Sequence, residues 1–172
     1  MTDLVERLAA ARIGSTYNQY VDSELRRNRL RLYLDERAAT SVLLVGEAPG
    51  YRGTRISGIP LTSERQLTGS GPSEATATIV HRVLAELGVK ADVLLWNVVP
   101  THPHRFGAPE SNRAPTRAEI DQSASFLAEL ASGRRVIPLG RVAHAALGGS
   151  YVRHPAHGGA TAFRIGLATA LQ

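Results

Sequence analysis

Ser41-Val-Leu-Leu-Val-Gly-Glu-Ala-Pro-Gly50 is the stretch on which the fold turns. Five residues of buried-strand character, Ser41 to Val45, run straight into a turn rich in glycine and proline. An apolar run without polar alternation reads as a strand covered on both faces, the habit of a central strand in a parallel sheet. In open α/β sheets ligands bind outside the C-terminal ends of the strands. Glu47 is the one carboxylate held there, and so a candidate for chemistry. The competing reading has it capping the next segment or facing water. Gly46 and Gly50 let backbone approach a ligand closely, and Pro49 stiffens the turn between them.

Outward from this stretch, three further strands are expected. Val93-Leu-Leu-Trp96 ends at Asn97; Arg135-Val-Ile-Pro-Leu139 follows; Tyr151-Val-Arg153 precedes His154-Pro155. Helices fall between them. Ser73 caps one that runs to Gly88, with Val80, Val83, Leu84 and Leu87 inward. Thr116-Arg-Ala-Glu119 is a capping box opening a helix to about Ser132, with Ile120, Ala124, Leu127 and Leu130 inward. Gly140 to Leu147 is a short helix stopped by Gly148-Gly149, and a last helix from Ala160 turns Phe163 and Leu167 inward. The first forty residues also read as helical. Leu4, Val5, Leu8 and Ala11, then Tyr17, Val21, Leu25, Asn28 and Leu32, mark the buried face, and Arg26, Arg27, Arg29 and Arg31 a solvated one. Residues 50–72 and 100–115 read as long loops, which in a compact domain are functional or mobile.

Strands alternating with helices predict one α/β domain over residues 1–172, with an N-terminal helical region (1–40) and an α/β core (41–172). The expected architecture is a three-layer α/β/α sandwich around a central four-stranded parallel sheet. That sheet delivers Glu47, Asn97 and His154 to one rim, each beside Gly or Pro turns.

Composition narrows the function classes. The chain has 172 residues, 43% of them hydrophobic, enough to build a full core. Cysteine is absent, which excludes disulfides, thiolate nucleophiles, zinc–cysteine sites and cysteine-ligated iron–sulfur clusters. Net charge is +5, compatible with a polyanionic partner, but 19 of the 20 basic residues are Arg, a skew that genomic base composition also produces. No signal-type apolar run and no run of membrane-spanning length is present, so a cytoplasmic protein without a membrane partner is expected. His102 and His104 invite a metal reading. Pro103 between them and the lack of a nearby carboxylate favour a substrate-loop role, so no metal is expected. His81 and His144 read as structural or exposed, Trp96 as core.

The ordered set Gly46-Glu-Ala-Pro-Gly50, Asn97 and His154-Pro155 resembles the motifs of the uracil-DNA glycosylase superfamily. The first has the form used by that superfamily's iron–sulfur branch. Gly58-Ile-Pro-Leu-Thr-Ser-Glu64, His102-Pro-His104 and Ser111-Asn-Arg-Ala-Pro-Thr-Arg117 look like a cysteine-free bacterial group of these enzymes. The resemblance covers roughly residues 40–165. It implies a monofunctional DNA glycosylase, acting without a cofactor and as a monomer, that flips uracil out of single- or double-stranded DNA and releases the free base. The chain departs from the pattern at four points. The cluster cysteines are missing. Ala48 stands where some branches carry a catalytic Asp or Asn, which moves the water-activating role to Glu47. Leu61 stands where a stacking Phe is expected, and Ala156 where the second motif ends in Ser.

The chemistry suits these residue types. Cleaving the glycosidic bond leaves cationic character on the sugar and an anionic base, after the nucleotide has left the stack. Glu47 would orient water and stabilise the sugar cation, and His154 would donate to the base oxygen where charge grows. The Asn97 amide offers an acceptor and a donor at once, matching the N–H and carbonyl of uracil and mismatching cytosine. Gly46, Ala48, Pro49, Gly50 and Leu61 are expected around the base, with Tyr51 as the gate that excludes the thymine methyl. Arg52, Arg55, Arg153 and the amides of Gly158 and Gly159 would meet phosphates, and His157 would belong to a wedge loop. Structural readings compete: Asn97 bonding its own turn, His154 as a satisfied structural histidine, Leu61 as loop packing. Excision of another modified base, or binding of damaged or abasic DNA without cleavage, are the alternative functions.

Overall fold

Strand β1 (Val42–Gly46) is buried along its whole length, as its apolar run requires. It pairs in parallel with β2 (Val93–Asn97) on one side and β3 (Arg135–Pro138) on the other, giving the order β2-β1-β3. The register sets Gly46 opposite Asn97 and Val45 opposite Pro138. The computed structural model describes residues 2–172.

Helices cover both faces. Leu43 and Val45 of β1, with Leu94 and Trp96 of β2, pack under α1 (Thr2–Ala10), α2 (Glu24–Glu36) and α6 (Arg117–Ala131). Val42, Leu44, Val93 and Leu95 face the other way, against α5 (Ala75–Glu86) and α8 (Ala160–Leu171). Alternate side chains thus feed two cores, the period-2 consequence of a strand covered on both sides. Three short helices complete the chain: α3 (Thr54–Ser57), α4 (Glu64–Thr68) and α7 (Arg141–Leu147).

Several expectations are corrected. Among the described residues the sheet has three strands, not four. The segment around Val152 forms a single parallel bridge to Leu139, held by Gly140 N donating to Val152 O at 2.8 Å and Val152 N to Pro138 O at 3.3 Å. Its two glycines on one side and His154-Pro155 on the other leave too little chain for a ladder. Residues 50–72 carry α3 and α4 rather than a featureless loop, the second opened by a Ser63–Gln66 capping box. Helix α5 starts after Glu74, and the Ser73 hydroxyl bonds to the Thr78 hydroxyl instead of capping. On α6 the capping box of Thr116 and Glu119 forms as expected, but Phe126 takes the inward place given to Ala124, which is exposed.

The largest correction lies in the first forty residues. Helix α2 opens at Ser23 and buries Leu30 and Leu34, while Val21, Leu25 and Leu32 are exposed. Its arginines are structural rather than solvated. Arg26 donates to Ile56 O and Gln19 O, Arg27 to Tyr20 O and Val21 O, and Arg29 grips both Glu64 oxygens at 2.8 and 2.9 Å. Arg31 bonds Glu6 and Asn28. They tie α2 to α1, α3 and α4.

Candidate active site

Beyond Gly46 the chains of β1 and β2 stay paired: Val98 N donates to Gly46 O at 2.9 Å and Val99 N to Glu47 O at 3.1 Å. The turn is braced from below by His102, whose buried ring donates through Nδ1 to Pro49 O at 2.7 Å. Tyr51 N donates to the Asn112 side-chain oxygen at 2.8 Å. His102 is therefore a strut of the turn, and the His104 ring stacks on it at 6.0 Å. Among the described residues no group of three His, Asp or Glu side chains is placed to hold a metal.

Above this turn opens a cavity of about 420 Å³, the size of a small-molecule site. Glu47, Ala48, Pro49, Gly50 and Leu61 line one side, and His154, Ala156 and His157 another. Thr54, Glu74, Thr76 and Ala77, with Asn112, Arg113 and Ala114, complete the wall. The end of β1 and the segment that follows the Val152 bridge thus meet across the cavity.

Asn97 is 1% exposed, and among the described residues both its Oδ1 and Nδ2 lack a hydrogen-bond partner. A side-chain amide buried without partners is costly and rare. Asn97 makes no turn bond. It sits behind the cavity wall, where its Nδ2 and Leu61 Cδ2 converge on the space a side chain at Gly46 would fill, 3.1 and 2.9 Å from that point. Gly46 is glycine for this reason. Leu61 itself holds a left-handed backbone, φ 52°, as does His157, φ 53°. These are the only two such non-glycine residues among those described, and both line the cavity. Strained backbone collects at functional sites.

His154 hangs from the Val152 bridge. Its Nδ1 accepts the Ala156 N–H at 3.2 Å, so in the neutral ring the proton resides on Nε2, which is free to donate. Burial, and then the charges of Arg153 and His157, lower its pKa and keep it neutral. Gly140 (φ +87°) packs flat on this ring, and Gly159 against the His154 carbonyl. Burial has the opposite sense on Glu47, whose carboxyl it raises.

Glu74, which no sequence motif marks, also lines the cavity. Its carboxylate lies across Gly50 and Gly53, where any side chain would collide with it, and burial raises its pKa. The two-glycine spacing Gly50-Tyr-Arg-Gly53 was the visible signal. Conversely, Tyr51 does not line the cavity. Its ring lies under the Arg55 guanidinium at 4.8 Å, and the same guanidinium lies over the Tyr17 ring at 4.7 Å. Arg55 is thereby held by two rings. Arg52 and Gly158 are exposed, Arg153 half-buried and Gly159 buried.

A family model for the uracil DNA glycosylase superfamily matches residues 35–167. The crystal structure of wild-type SMUG2 from Pedobacter heparinus superposes with a TM-score of 0.71 at 14% identity, covering 99% of this chain and 96% of that one. No curated protein matches the sequence. The family match spans most of the chain, including the end of β1 and the His154 segment that line the cavity, and the chain therefore belongs to the uracil DNA glycosylase superfamily.

Proposed function

We propose that the protein is a monofunctional glycosylase that excises uracil from DNA. The observation that carries this reading is the buried, unpartnered amide of Asn97 beside the cavity. Uracil satisfies it with an N–H and a carbonyl, whereas cytosine leaves both amide groups opposed by like groups. To reach the amide the base displaces the Leu61 side chain, which lies in front of it. Glu47 orients the attacking water and stabilises the sugar cation, and the Nε2–H of His154 donates to the departing base. Lys90, the one lysine, lies away from the cavity beside His81, so no lysine amine is available there for a Schiff base.

Single-turnover release of uracil from single- and double-stranded oligonucleotides tests the reading. Wild type is expected to release the base, with Asn97→Ala and His154→Ala each slower by about a hundredfold or more. No release by wild type under enzyme excess would sink it.

A second substrate is favoured by Glu74. Its carboxylate adds a hydrogen-bonding group to the wall facing Leu61, where a stacking aromatic is absent. A larger deaminated base carrying a second N–H, such as xanthine, would use it. Oligonucleotides carrying xanthine and uracil, assayed side by side with wild type and Glu74→Gln, decide between the two.

A further inference from the structure

The loop that follows β2 closes on a tight tip. Ala108 N donates to Arg105 O at 3.0 Å, and Gly107 takes φ +70°, the left-handed position such a turn demands. The Ser111 hydroxyl locks the tip from inside, accepting from Arg105 N at 2.9 Å and donating to Ala108 O at 2.7 Å. This rigid turn carries Phe106, which is fully exposed, while Phe126 and Phe163 are buried. Arg105 beside it is exposed and forms no ion pair among the described residues.

The stem of the same loop is fastened to the cavity. Arg113, in the cavity wall, donates from its backbone N to Pro103 O at 3.4 Å and from Nε to His104 O at 2.8 Å. The tip begins one residue later. His102, one residue before Pro103, braces the Pro49 carbonyl. The loop that carries the exposed ring is therefore held at its stem by residues that shape the cavity.

We propose that Phe106 inserts between stacked bases next to the extruded nucleotide, with Arg105 on the adjoining phosphate. Apolar side chains enter base steps in this way, unstacking them, and a turn already ordered loses little entropy in doing so. A basic, aromatic tip suits a polyanion whose bases stack. The inference rests on the glycosylase reading and differs from the wedge role first expected of His157, which lies in the cavity wall.

Two experiments test it. Phe106→Ala is expected to slow uracil release from duplex DNA at least tenfold while leaving the single-strand rate within twofold, because only the duplex resists extrusion. Equal loss on both substrates, or no loss on duplex, would overturn the proposal. The second readout needs no turnover. Trp96, the one tryptophan, is fully buried, so in Phe106→Trp the new indole alone is open to iodide. Duplex DNA bearing an abasic site should shield that indole and quench its emission. An indole equally open to iodide with and without DNA overturns the insertion. Failure of wild type to release any base would overturn the glycosylase reading separately, since the indole still reports contact with DNA.

Discussion

At Glu47 and His154 burial disfavours the charged form of each, which moves the two pKa values in opposite directions, and the two together set a pH profile. The Glu47 carboxyl lies above its ordinary value of 4.5 and the His154 imidazole below 6.5. The proposed reaction needs Glu47 ionised and His154 uncharged, and burial favours the second and opposes the first. The single-turnover rate should therefore fall on the acid side as Glu47 takes up a proton, with the fall beginning at a higher pH than an ordinary carboxylate would give. Glu47→Gln should be slow and lack that fall; an acid limb that survives in the variant would assign it to His154. Each of these residues was legible because chemistry-bearing side chains at strand ends stand out against apolar runs. Glu74 was not legible. Its placement depends on where α5 begins relative to the turn at Gly50, a distance no local pattern encodes. Tyr51 misled for the same reason: adjacency to a motif does not fix which way a ring points, and Arg55 drew it aside.

Among the elements, α6 holds one part of the cavity wall in place through Arg113. Its Thr116–Glu119 capping box satisfies the first-turn amides, and Glu119, 2% exposed, also receives both guanidinium nitrogens of Arg113 at 2.8 and 2.6 Å. That pair holds the Glu119 carboxyl below its ordinary range. The stability it contributes is present above pH 4.5 and lost as the pH falls through the lowered value. Arg113→Ala strands a buried carboxylate and should cost about 3 kcal/mol, measured by denaturant unfolding at neutral pH. A cost under about 1 kcal/mol would show that Glu119 finds other partners or water. The capping box was readable because its signature is local. The burial of α2 was not, since arginines on its inner side mimic a solvated face while their stems and fork-shaped heads serve backbone carbonyls. The supposed fourth strand failed on length. Three residues of strand character support a bridge, and pairing beyond it is cut off by His154-Pro155, whose proline has no donor.

Across the whole molecule the overall layering is carried by β1 and its two neighbours, with the cores of both faces locked on alternate side chains. The segment bearing His154 is attached to this body by two backbone hydrogen bonds of 2.8 and 3.3 Å at the sheet edge. Local opening follows the density of such tethers, so this edge should open well before the strands beside it. In native-state deuterium exchange the amides of Gly140 and Val152 should lose protection at much lower free energy than those of Leu44 and Leu95; matched protection would mean that the edge opens only with global unfolding. If the edge breathes alone, release of an abasic product need not wait on the rest of the fold. One side of the cavity can swing free while the other, built on β1, stays ready for the next nucleotide.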